Sequence, residues 1–236
     1  MTSQQTIHLI SFNIRLGLDS SIDAIADWLA SQNADIIALQ EVDNGVPRSR
    51  HLNLAEVLGE MLGYHQRLGC NVKLKVGSYG NATLSRWPFA HGQNLDLTWG
   101  IKKRRGCLSD VVETPRGPLV VMNFHLGLSR IERHFQLKKI LASDFLHSHR
   151  SHPMLMLGDS NERTRYLDLF LSSAGFENTA GDAKRKYKTW PSFAPIWNLD
   201  KIFHNDKCER IHYEVVKNSL TKVASDHLPV KAVIRI

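Results

Sequence analysis

Little in these 236 residues could staple a fold covalently: the three cysteines, Cys70, Cys107 and Cys208, are scattered and odd in number. That argues against a disulfide framework or a structural zinc site, and makes a reducing, cytoplasmic setting the expectation. No run approaches ~20 consecutive apolar residues, so no membrane-spanning helix is expected. The opening Met1-Thr2-Ser3-Gln4-Gln5-Thr6 has neither the basic nor the apolar region of an export signal. Repeats, low-complexity runs and Pro/Gly/Ser-rich linkers are missing, which points to one domain over residues 1–236. Acidic residues are the scarcer charge, 23 Asp+Glu against 30 Lys+Arg, giving a net charge of +7. Such a balance suits an anionic partner: nucleic acid, phospholipid or another phosphate ester. Apolar residues are plentiful at 42%, which excludes a disordered chain.

The apolar residues group into short runs of two kinds. Residues 7–14, 35–40 and 154–157 are rich in β-branched and other apolar residues and read as buried strands. Between the first two, Asp19-Ser20-Ser21 caps a helix in which Ile22, Ile25, Ala26 and Leu29 share a face. Residues 52–62 form a second helix, stopped by Gly63. The middle reads as hairpin strands over 81–85, 89–97, 107–113 and 119–125. One long helix then carries Ile131, Phe135, Leu137, Ile140, Leu141 and Phe145, and a shorter one spans 166–174. Strands at 199–204, 211–216 and 228–236 complete the set. Helix-separated strands mixed with hairpins predict an α/β fold: a two-sheet β-sandwich flanked by helices.

The chemistry gathers where these runs stop. Asn13, Glu41, His125, Asp159 with Asn161, Asp200, and Asp226 with His227 each lie at or just beyond an apolar strand. Taken singly, each has a plain reading: a strand must end in something polar, and Asp159-Ser160-Asn161 alone is an Asx-rich turn. Burying so many carboxylates without partners is costly, whereas convergence around a bound cation removes the cost. Oxygen donors of this kind suit Mg²⁺ or Mn²⁺ in place of zinc. With the basic surface, they suggest a metal-assisted reaction on a phosphate ester.

Seven motifs in order carry a resemblance: Ser11-Phe12-Asn13, Leu39-Gln40-Glu41-Val42, Gly80-Asn81-Ala82-Thr83-Leu84-Ser85-Arg86, Asn123-Phe124-His125-Leu126, Gly158-Asp159-Ser160-Asn161, Leu199-Asp200-Lys201-Ile202 and Ser225-Asp226-His227-Leu228-Pro229-Val230. Together they resemble the endonuclease/exonuclease/phosphatase superfamily, which has the deoxyribonuclease I-like fold, and most closely its small bacterial members without an assigned substrate. The resemblance implies a four-layer α/β/β/α sandwich with the site at one edge. It implies Glu41 as principal metal ligand, helped by Asn13 and Asp226. It casts Asp159 as the residue that orients or deprotonates water, and Asn161 as a holder of a phosphate oxygen. His227 would donate to the phosphoryl oxygen, with Asp200 fixing its tautomer, and His125 would contact the phosphate or help protonate the leaving group.

Around that set, Asn81, Arg105 and Arg48 are expected to contact substrate, Arg48 alternatively pairing with a nearby acid. Lys184-Arg185-Lys186-Tyr187-Lys188 with Trp190, Phe193 and Trp197 reads either as a nucleic-acid grip or as a loop whose aromatics pack downward. His147, His149 and His152 resemble a metal-binding tract set in an exposed connector. Two departures from the family pattern stand out. Ser160 replaces the usual aromatic residue, with its side chain expected to point away from the metal, and Arg15 stands where some members carry a carboxylate. The function expected is hydrolysis of a phosphodiester, in nucleic acid first and in a phospholipid or inositol phosphate second, with a non-catalytic nucleic-acid scaffold as the rival class. No membrane insertion or obligate protein partner is expected.

Overall fold

Alternation along the strands decides which face of each sheet is buried against what. The computed structural model describes residues 6–181 and 186–236. One six-stranded sheet runs in the order β11 (Glu209–Val215), β12 (Val230–Arg235), β1 (Thr6–Asn13), β2 (Ile36–Asn44), β4 (Ser78–Ser85) and β3 (His65–Lys73). The other runs β5 (Phe89–Asp96), β6 (Gly106–Thr114), β7 (Gly117–His125), β8 (Met154–Asp159), β10 (Asp200–Asn205) and β9 (Phe176–Asn178). On β1, Ile7 and Leu9 join Val121, Leu155 and Leu157 of the second sheet in an apolar layer between the sheets. Ile10 and Phe12, the alternate residues, pack outward on α1 (Ile22–Ser31) and α2 (Leu54–Leu62). Val120, Met122 and Phe124 do the same on α3 (Arg130–Leu141), α4 (Asp144–Ser148) and α5 (Tyr166–Ser172). The result is the α/β/β/α layering expected.

Each sheet has a parallel pair at its centre, β1 with β2 and β7 with β8. Their registers set Asn13 beside Gln40 and His125 beside Asp159. Strand β10 runs antiparallel to β8, so Asp200 at its start faces Asp159 at the end of β8. The ends of β1, β7 and β8, the middle of β2 at Gln40 and the start of β10 therefore meet at one edge.

Local signals explain most boundaries. Ser21 accepts from the Ala24 N–H to open α1, and Gly63 closes α2 at φ 68°. The single long helix expected to reach Phe145 is two helices. Ser143 ends the first by donating to the Ile140 carbonyl and opens the second by accepting from the Leu146 N–H. Ile131 and Phe135, placed on the apolar face, are exposed; Phe135 stacks on Trp99 with centroids 5.4 Å apart. Edge strand β3 was not expected, because its His-Gln-Arg-Leu-Gly-Cys-Asn run has no apolar alternation. Among the described residues no helix is long and apolar enough to cross a membrane. Lys184 and Arg185 of the basic aromatic loop lie outside the described residues, and Lys186 is exposed.

Candidate active site

The layer between the sheets changes character toward that edge. Along β8 the inward residues are Leu155, Leu157 and then Asp159; along β7 they are Leu119, Val121, then Asn123 and His125. Here the two sheets are joined by amides. Asn123 Nδ2 donates to the carbonyls of Leu39 and Ala82, at 3.0 and 2.9 Å. Gln40 Nε2 donates to Asn123 Oδ1 at 2.8 Å, and Asn81 Nδ2 to the carbonyls of Gly106 and Asn123. Leu39 and Ala82 are the last regular partners before the β2–β4 ladder shifts register. Glu41 sits in that bulge at φ 55°, a left-handed conformation that turns it out of the strand's alternation. Gln40 and Asn123 belong to the sequence motifs but carry no role predicted from sequence. Their signal is an amide at an inward position of an otherwise apolar strand.

Asp159 is the hub. Its Oδ2 accepts from Asn13 Nδ2 at 3.1 Å and lies 3.3 Å from His125 Nε2 and 3.7 Å from His227 Nε2. Its Oδ1 accepts the Asn161 backbone N–H at 2.9 Å. Gly158 brings β8 this close: its φ is +144°, and a Cβ there would lie 1.9 Å from the Phe124 carbonyl. Burial raises the Asp159 pKa, with Asp200 adding to the rise and His227 opposing it. His227 Nδ1 meets Asp200 Oδ2 at 2.8 Å. Burial works against a charged His227, but Asp200 and Asp159 outweigh it and push its pKa up to about 10. His227 is therefore an imidazolium at neutral pH, donating from Nδ1 to Asp200 Oδ2.

His125 is the opposite. Burial, then the positive charges of Arg105 and His227, hold its pKa well below the ordinary value. Arg105 Nη1 stands 2.8 Å from His125 Nε2, and a guanidinium only donates, so Nε2 accepts and the ring is neutral. Glu41, half-buried, lines a shallow cleft with Tyr79, Asn81, Arg104, Arg105 and His125. Among the described residues none hydrogen-bonds or pairs with its carboxylate.

The other expected residues divide. Asn161, also left-handed at φ 50°, donates from Nδ2 to the Leu126 carbonyl. Asp226 accepts from Trp190 Nε1 at 3.3 Å and lies 3.8 Å from Arg15 Nε. Ser225 Oγ donates to the Asn13 carbonyl at 2.6 Å, fastening the Asp226-His227 loop to β1. Asn81 spends its N–H groups on main-chain carbonyls. Arg48 forms two 2.8 Å bonds to buried Asp43, the pairing with an acid that had been its alternative. Ser160 points elsewhere than its neighbours, donating to the Leu199 carbonyl at 2.6 Å.

Ligand atoms of Asp159, Asp200 and His227 lie within 4.8 Å of one another, all buried, and Asp200 Oδ1 has no hydrogen-bond partner. A charged His227 offers no lone pair, so the donors left, with Glu41, Asn13 and Asp226 nearby in the fold, are oxygens, a set that fits a hard divalent cation.

Comparison with known proteins gives the fold and the family. The chain is 27% identical to the uncharacterized protein YbhP of Escherichia coli K12, over 100% of this chain and 98% of that protein. A mannosyl-6-phosphatase of Bacteroides thetaiotaomicron superposes with TM-score 0.78 at 17% identity, over 97% of this chain and 99% of its own. D. rerio TDP2 complexed with single-strand DNA product superposes with TM-score 0.74 at 18% identity, over 98% and 99% of the two chains. At these identities the structural likenesses speak for the fold alone. The model of the endonuclease/exonuclease/phosphatase family matches residues 10–227, a span that includes every candidate site residue, and the chain belongs to that family.

Proposed function

We propose that the protein is a divalent-metal-dependent phosphodiesterase acting on nucleic acid. Hydrolysis of a phosphate ester is what its family indicates; the metal, the diester and the nucleic acid are our reading. The observation that carries it is the environment of Asp159: a buried carboxylate of raised pKa, oriented by Asn13 and Asn161 and flanked by an imidazolium. A carboxylate so placed is a competent base toward water, since its basicity approaches what proton abstraction near neutral pH needs. His227, charged and backed by Asp200, donates from Nε2 toward the phosphoryl oxygen on which negative charge grows. Arg105 is the second donor, exchanging His125 Nε2 for a phosphate oxygen when substrate enters. His125, neutral with Nε2 accepting, positions Arg105 at the cleft and is not a proton donor for the leaving group. Glu41, with Asn13 and Asp226, would hold the cation, which supplies charge neutralisation at the phosphate and at the leaving oxygen.

Nucleic acid is favoured among diesters by the net charge of +7 and by the cations near the cleft, Lys103 and Arg104 among them. A monoester reading, prompted by the neighbour named as a mannosyl-6-phosphatase, is the main competitor. The test is a substrate panel with Mg²⁺ or Mn²⁺: plasmid DNA, abasic DNA, RNA, bis(p-nitrophenyl) phosphate, sphingomyelin, sugar phosphates and inositol phosphates. Turnover of nucleic acid that disappears in Glu41→Ala and His227→Ala is expected. Equal turnover in wild type and both variants would overturn the mechanism; binding of DNA without any turnover would leave a scaffold.

A further inference from the structure

The histidine tract singled out in the sequence is divided by the fold. His147 is exposed on α4, whereas His149 caps that helix and turns toward the other sheet edge. His149 Nδ1 lies 2.7 Å from the Phe145 carbonyl, which can only accept, so the proton sits on Nδ1 and Nε2 presents its lone pair. That lone pair faces His91 Nε2 at 3.0 Å, across 58 residues of chain. His91 arrives on edge strand β5, just where the β5–β6 ladder shifts register between Phe89 and His91. Both rings pack on buried Phe145, with centroids 6.0 Å from His91 and 4.6 Å from His149. The His152 ring follows at 6.1 Å from His149. A backbone carbonyl on Nδ1 with the lone pair on Nε2 is the arrangement that orients a histidine for metal ligation.

We propose that His91 and His149 form a second metal site, holding one borderline transition-metal ion such as Zn²⁺ between their Nε2 atoms. The pair lies at the start of β8, the end of the sheet opposite Asp159. Two ligand nitrogens at a tetrahedral Zn²⁺ stand about 3.4 Å apart, given bonds of about 2.0–2.1 Å. The observed pair reaches that by opening a few tenths of an ångström. The ion takes the place of the hydrogen between the two nitrogens, which moves to His91 Nδ1, a tautomer shift that frees the Nε2 lone pair without net release of a proton. Water, or His152 after a rotation, completes the coordination. Imidazole nitrogens prefer Zn²⁺, Cu²⁺ or Ni²⁺ to the hard cation suited to the strand-end centre, so the two sites select different metals. The bound ion ties edge strand β5 to the α4–β8 connector.

The test titrates the metal-stripped full chain with Zn²⁺ against a chromophoric chelator, in excess Mg²⁺ so that the strand-end centre does not compete. We expect one equivalent bound by wild type and by Glu41→Gln. Its loss is expected in His91→Gln and His149→Gln, and a weaker equivalent in His152→Gln. Zn²⁺ should raise the Tm of wild type and leave that of His91→Gln and His149→Gln unmoved, while all stripped proteins keep the same far-UV circular dichroism. An equivalent that survives both glutamine variants, or no binding by wild type, overturns the proposal and leaves a hydrogen-bonded histidine pair.

Discussion

Leu155 and Asp159 occupy the same strand, point to the same side and lie in the same layer between the sheets, yet they do opposite work. Around Leu155 the layer is closed by Ile7, Leu9, Val121 and Ile202, all fully buried. Around Asp159 it is filled by amides, carboxylates and imidazoles. The first region lowers free energy by removing apolar surface from water. The second keeps charge buried, which folding alone gives no reason to do. Stability and chemistry are thus separated along a strand by four residues.

The sharpest way to break this division is Asp159→Asn. If Asp159 is the base proposed above, its loss should lower turnover by a factor on the order of 10²–10⁴, with Tm equal to or above that of wild type, since a raised pKa marks an unfavourably buried charge. A large fall in Tm instead would make Asp159 a structural residue. The converse is Leu155→Ala, which should cost about 2–5 kcal/mol in urea unfolding while the folded fraction keeps its turnover. Asn123→Leu tests the boundary. Leaving the Leu39 and Ala82 carbonyls unpaired should cost about 1–3 kcal/mol and also weaken Mn²⁺ binding through the Glu41 bulge, followed by electron paramagnetic resonance. Unchanged Mn²⁺ affinity would place Asn123 with Leu155. The smallest effect is expected at Asp110, buried between the sheets beside Arg67 Nε at 2.6 Å. Burial lifts its pKa from 3.8 to about 7, partly offset by Arg67. The folded state then holds a proton that the unfolded state has released, so this group's contribution to stability falls as pH rises from about 4 to 7. Asp110→Asn should flatten that slope in unfolding free energies measured at pH 5 and pH 7.5.

How much of this division was legible in the sequence depends on parity. Asp159, Asp200 and His227 were found because each ends or borders an apolar run, and a polar residue there is conspicuous. Gln40 and Asn123 are not distinguished by sequence, because an amide inside a strand looks like a tolerated exception until the facing sheet is known. Arg48 could not be resolved at all: whether it faces substrate or Asp43 depends on how residues 44–48 turn. The same holds for β3, whose pairing with β4 comes from hydrogen bonds that its side chains do not announce.

The contacts that assemble the site span most of the chain: Asn13 meets Asp159 across 146 positions, and Ser225 meets the Asn13 carbonyl across 212. Contacts so distant in sequence carry a loop-closure cost that nearby ones do not, and such topologies fold slowly. During refolding, local helices and hairpins should therefore recover their circular dichroism before any turnover returns. Enzymatic activity in this protein is a reporter of completed tertiary assembly, silent in any intermediate in which the sheets have formed but not yet met.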